Sequence, residues 1–178
     1  MAEIVRLSEY RRKSIIQAGY RLWHSCFEQR FDSQTRLNDL GPDVLLRLSE
    51  PPDVSTHLYY SLILGFLGYK DGTNIDHLDN KIQVRLIDIH LFLADQVRFE
   101  MMRRLGWLSR FCATQYQLVE MVIQFDYIRE LCLQDPPVLA SSHSGYEEYL
   151  KLINQDRQVF IRRMLPSVID AFKKKFIQ

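Results

Sequence analysis

The residues of this chain whose type and spacing fit chemistry gather mainly in one stretch. His90 is flanked by Ile89 and Leu91, and at about 100° per residue it lies in line with Gln83 and Val97, a heptad away on either side. An imidazole on the apolar side of a helix needs a partner. Either a neighbouring helix supplies a hydrogen bond and the ring is structural, or the ring faces a ligand or works as a general base. Asp88 and Asp95, one heptad apart on the polar strip of the same stretch, are placed to face one groove and to position a cation or a polar ligand. Arg85 and Arg98, each three residues from one of them, also offer ordinary intrahelical ion pairs. Such pairs contribute little when exposed, and paired carboxylates alone define no reaction.

A second candidate pair is His24 and Glu28, four apart on the first long helical segment and able to reach one metal ion from one face. Di-metal carboxylate bundles need a Glu-x-x-His on more than one helix, and the chain has none. It also lacks HExxH, paired CxxC, GxSxG and a phosphate-cradling glycine loop. The acidic loop Lys70–Asn74 is without the ligand spacing and closing glutamate of a calcium loop. No cofactor is therefore expected, and metal rests on His24 and Glu28 alone. Tyr59, Tyr60, Tyr146, Tyr149 and Trp107 offer a pocket lining, although aromatic residues at helical spacing more often fill a core.

The element that must position these groups is the stretch Ile75–Leu105. Leu86, Ile89, Leu93 and Val97 share one stripe, and Ile87, Leu91, Ala94 and Met101 widen it. The polar strip left over, Lys81, Arg85, Asp88, Asp95 and Arg103, is interrupted by Phe92 and Phe99. A helix apolar almost all round is enclosed by neighbours. Between Ile82 and Leu93 the letters also alternate as in a strand, but with a phase slip and without clear partner strands.

Around it the same period predicts further helices. Ile4–Phe31 repeats Ile16, Tyr20, Trp23, Phe27 and Phe31, with Ser8 as a cap and a basic cluster at Arg11–Lys13. A short helix opens at Pro42, and another, capped by Asp53 or Ser55, runs to about Gly68. Gly106 stops the central helix. Trp107 to about Leu133 then reads as one helix, Val138–His143 as a loop, and Ser144 with Glu147 as a capping box opening a helix that Pro166 breaks. A final segment carries Val168, Ile169, Phe172 and Phe176 with Lys173–Lys175 at its C-terminal end. The expectation is an all-α, single-domain bundle over residues 1–178, with about six or seven helices around the central one.

Composition sets the class. With 47% hydrophobic and 25% charged residues and a net charge of +1, the chain reads as globular and is not built to coat nucleic acid. Charge is unevenly spread. Residues 39–80 carry seven carboxylates against Arg47 and Lys70, and the C-terminal segment is basic, which favours attraction within or between chains. Cys26, Cys112 and Cys132 lie beside apolar helical positions and read as buried free thiols. Together with an N-terminus lacking a secretory signal and no apolar run long enough to span a bilayer, they point to the cytoplasm. The leading expectation is a helical interaction or adaptor protein that self-associates as a dimer. It rests on the wide apolar face of Ile15, Ile16, Tyr20, Leu22, Trp23, Cys26 and Phe27. The alternative is a small-molecule-binding protein or enzyme with a pocket against the central helix at His90, Asp88 and Asp95.

Overall fold

Gly106 adopts φ +78°, and its N–H donates to the Arg103 carbonyl while that of Trp107 reaches back to Met102, the left-handed stop its position predicts. It ends α4 (Asn80–Arg104), the helix expected at the centre. The Asp79 side chain caps the other end by accepting from the Lys81 N–H (2.8 Å). The computed structural model describes residues 2–177, with side chains from Leu7 to Ile177. Leu86, Ile89, Leu93 and Val97 are buried as one stripe, joined by Ala94 and Met101. All-round enclosure holds only from Leu93 onward. In the first half Val84, Ile87 and Leu91 are 58%, 46% and 57% exposed. The alternating stretch Ile82–Leu93 is helical throughout.

Before α4 come α1 (Ala2–Cys26), α2 (Pro42–Leu48) and α3 (Pro52–Phe66). Pro42 and Pro52 occupy first turns, where the missing N–H has no acceptor to lose. Ser8 lies inside α1 instead of capping it. The Ser55 hydroxyl donates to the Glu50 carbonyl (2.9 Å), and Pro51 holds the capping position of α3. Phe27 and Phe31 follow the end of α1 yet are buried, since the chain doubles back and stacks Phe31 on Tyr20 (ring centroids 5.4 Å apart). Trp23 Nε1–H donates to the Leu58 carbonyl and the Tyr59 hydroxyl to the Leu48 carbonyl (both 3.0 Å), so these two buried aromatic side chains are satisfied as they join segments, whereas the buried Tyr20 hydroxyl has no hydrogen-bond partner among the described residues.

The single helix expected over Trp107–Leu133 is replaced by several elements. They are β1 (Leu108–Arg110), a 3-10 turn (Cys112–Gln115), α5 (Leu118–Ile123) and α6 (Phe125–Gln134). β1 pairs antiparallel with β2 (Val138–Leu139), which lies inside the expected loop. The Leu118 N–H donates to the distant Thr35 carbonyl (2.9 Å). The apolar stripe survives, with Phe111, Leu118, Val122 and Phe125 buried, but the backbone hydrogen bonds go to other segments. Beyond β2, Ser144 makes no capping box. Gly145 precedes α7 (Tyr146–Lys151), with its N–H donated to His143 Nδ1 (3.1 Å). The expected helix breaks again before α8 (Asn154–Arg163), and α9 (Leu165–Phe176) follows with Pro166 in its first turn, so the interruption expected at this proline is present. Nine α-helices thus stand among the described residues, since two expected helices are each divided. One buried cluster runs from Tyr20 to Phe172, so the fold is all-α with a minimal strand pair.

The crossing of α1 and α3 is set by two glycines. A methyl group on Gly65 would meet the backbone of Ala18 and Gly19, and one on Gly19 would meet the Phe66 ring. In an exposed helix Gly→Ala stabilises by about 1 kcal/mol. Here the steric term opposes it, and overpacking of this kind costs about 1–3 kcal/mol. Gly65→Ala is therefore expected to lower stability in urea unfolding, and a gain would show that the helices do not cross this closely.

Candidate functional site

Along α4, the steps 88, 91, 92, 95, 96 and 99 keep to one side of a helix. Asp88, Leu91, Phe92, Asp95, Gln96 and Phe99 form one wall of a cavity of about 240 Å³. Opposite stand Arg129, Cys132 and Leu133 of α6 and the Asp135–Pro137 turn, while Gln158, Ile161 and Arg162 of α8 and the Phe111–Cys112 pair complete the lining. Each wall is tied in place. Phe92 packs edge-on to Phe125 (5.6 Å) and Arg85 bonds to Asp126 (2.8 Å), joining α4 to α6. Arg162 bonds to Asp95 (2.9 Å), joining α8 to α4. Arg110 grips both Asp135 oxygens (2.7 and 2.8 Å) and holds the proline turn.

The polar groups differ in how they are satisfied. Asp95 is engaged by Arg162 and lies 3.9 Å from Arg98. Asp88 and Arg129 have no ion-pair partner among the described residues, and the Arg129 guanidinium rests over the Phe125 ring. Gln96 stands apart. It is 6% exposed and lines the cavity, and its amide makes no hydrogen bond to any described residue. The amide atoms are not buried but open to the cavity, so they are free to pair with something that enters it. Cys112 and Cys132 also face the cavity. Burial, then a hydrogen bond with the Cys112 side chain, push the Cys132 thiol well above the ordinary range, so it is not a ready nucleophile. The wall offers an amide donor and acceptor, a carboxylate and a guanidinium against phenyl rings. That set is chemically able to hydrogen-bond a small polar molecule.

Asp88 and Asp95 are thus brought together on one cavity, and His90 is not. His90 faces α3, half-buried between the Tyr59 and Tyr60 rings (centroids 4.7 and 5.4 Å away). These ring contacts replace the hydrogen bond to a neighbouring helix that its position predicts. His24 and Glu28 do not share a helix face, because α1 ends at Cys26. The His24 ring accepts the Phe31 N–H (3.1 Å) and so closes the chain reversal after α1. No group of three His, Cys, Asp or Glu side chains among the described residues is placed to hold a metal ion. Cys26 is exposed, Cys112 buried and Cys132 half-buried, which corrects the expectation of three buried thiols. Tyr59 and Tyr149 are buried, and Tyr60, Trp107 and Tyr146 pack against the core. Gln96 escaped the sequence reading, although an amide inside the apolar run Leu93–Val97 carries the same signal that singled out His90.

Burial, then the Arg98 charge, lowers the His90 pKa below its ordinary 6.5. The unfolded chain therefore takes up the proton first, and stability falls as pH drops through 6.5 toward the lower folded value, below which this contribution levels off. His90→Phe, which suits the gap between two tyrosine rings, is expected to flatten the pH dependence of the melting temperature in that window. An unchanged slope would mean that His90 titrates normally. Compared with known proteins, the chain matches no family model, no curated protein and no solved structure, so its function is argued from its own residues.

Proposed function

We propose that this is a small-molecule-binding protein whose site is the cavity between α4, α6 and α8. The observation that carries the reading is the Gln96 amide, which opens onto the cavity and makes no hydrogen bond to a described residue. A ligand that hydrogen-bonds to it gains about 0.5–1.5 kcal/mol net. The volume of about 240 Å³ lies just under the usual range of about 300–1,000 Å³ for drug-sized ligands, which favours a molecule the size of an amino acid or small metabolite. Its polar end faces Gln96, Asp88 and Arg129, and its apolar part lies against Phe92, Phe99 and Phe111. Binding without turnover is the reading adopted, because the wall presents no activated nucleophile or base beside these groups.

A second reading, self-association, draws on a different place. Ile16, Tyr20, Leu22, Trp23 and Phe27, the face expected to pair two copies, pack into or against the monomer core. Residues 7–14 of α1, with Leu7 and Tyr10 among them, are instead exposed in a row. Two helical turns without packing are marginal in water, and a second copy would bury them. A cytoplasmic setting accords with three free thiols. No described helix is long and apolar enough to cross a membrane.

A thermal-shift screen of small amides, amino acids and carboxylates tests the first reading. Binders are expected to raise the melting temperature and to move the Gln96 side-chain NH₂ resonances. Binders that leave those resonances unmoved would place the site elsewhere. Light scattering across concentrations separates the second reading, which a strictly monomeric protein would remove.

A further inference from the structure

Cys112 opens the 3-10 turn after β1, and Cys132 sits in the last turn of α6, the helix against which that turn packs. Twenty positions separate them in the chain, yet both line the α4 cavity, and the Cys112 thiol is near enough to act on the Cys132 thiol. Both are free thiols, Cys112 buried and Cys132 half-buried on the cavity side. A disulfide needs Cα atoms about 4.4–6.8 Å apart and sulfurs that face each other, and two thiols on one cavity wall, carried by a turn and a helix packed against each other, are placed to approach that condition. Cys26, at the exposed end of α1, is not part of this lining.

We propose that Cys112 and Cys132 are a modification site, a dithiol pair that forms a reversible disulfide on the cavity wall by exchange with a low-molecular-weight disulfide. The site does not depend on the ligand reading. The difference in burial sets the order of events. The Cys132 thiol loses its proton to solvent and attacks one sulfur of the small disulfide. That S–S bond breaks, and one thiolate leaves and is protonated. The buried Cys112 then loses its proton and attacks the Cys132 sulfur of the mixed disulfide, expelling the second small thiol. Two protein thiols are oxidised and one small disulfide is reduced to two thiols. Burial keeps Cys132 largely as the thiol at neutral pH, so exchange is slow there and quickens as pH rises. A cavity bordered by this pair has one wall whose mobility follows the thiol–disulfide balance around it.

The test uses the folded full-length protein carrying Cys26→Ser, which removes the exposed competing thiol, treated with oxidised glutathione at several pH values and mapped by mass spectrometry. The expected product is lighter by two hydrogen atoms, carries a Cys112–Cys132 peptide link, retains no glutathione, forms faster at higher pH and is reversed by a dithiol reductant. Adding Cys112→Ser is expected to trap one glutathione on Cys132. A stable glutathione adduct on Cys132 while Cys112 is present would overturn the proposal. So would a bridge that forms only after unfolding in urea, or no product from the folded protein.

Discussion

Glu100 is a carboxylate with no solvent contact in the middle of a helical protein, and the rest of the architecture depends on how it is neutralised. Arg103 grips both of its oxygens (2.8 Å each) and Arg104 Nε donates to one of them (2.7 Å). An unpaired charge there would cost several kcal/mol, and a pair that is broken is worse than one never buried. The geometry reaches further than the pair. Arg104, held by Glu100, donates onward to the carbonyls of Leu37 and Asn38 (3.3 and 3.1 Å), and its own carbonyl accepts from Lys175 Nζ (3.0 Å). One buried acid thereby ties the end of α4 to the loop after α1 and to α9. Because well-packed apolar residues often match or exceed the stability of such a cluster, its consequence is position: it fixes which way α4 is turned.

That rotation is what gives the cavity its meaning. Gln96 lies four residues before Glu100, one turn earlier on the same side of α4, and both are buried polar residues. The fold supplies three charged hydrogen bonds to one and none to the other. Its amide opens onto a cavity whose walls are pinned by Arg162–Asp95, Arg85–Asp126 and Arg110–Asp135, and the proposed ligand would meet it in a fixed setting.

Much of this was legible in the residues, and the rest failed for identifiable reasons. The α4 stripe from Leu86 to Val97, the stop at Gly106, the helix start at Pro42 and the break at Pro166 are local signals and appear where they point. So does the common groove of Asp88 and Asp95, which follows from heptad spacing alone. The region after Trp107 was misread because side-chain period says nothing about where backbone groups bond. β1 finds β2 and Leu118 finds Thr35 across long stretches of chain. The side of α4 bearing Val84, Ile87 and Leu91 reads as buried in sequence, yet it faces water, since periodicity shows that a face is apolar and not what covers it. Cys112 and Cys132 have unremarkable spacing, and only the packing of a turn on α6 brings them to one wall.

The central claim, which rests on the proposed function, is that the Gln96 amide serves a ligand and not the fold. The most direct measurement is the urea unfolding of ligand-free Gln96→Met, a change that keeps side-chain length and removes the unpaired amide. The variant is expected to match the parent within about 0.5 kcal/mol, because the amide makes no hydrogen bond to a described residue and its atoms are open to the cavity. A loss of stability of about 1 kcal/mol or more would contradict the account, since it would mean that the amide already serves the fold.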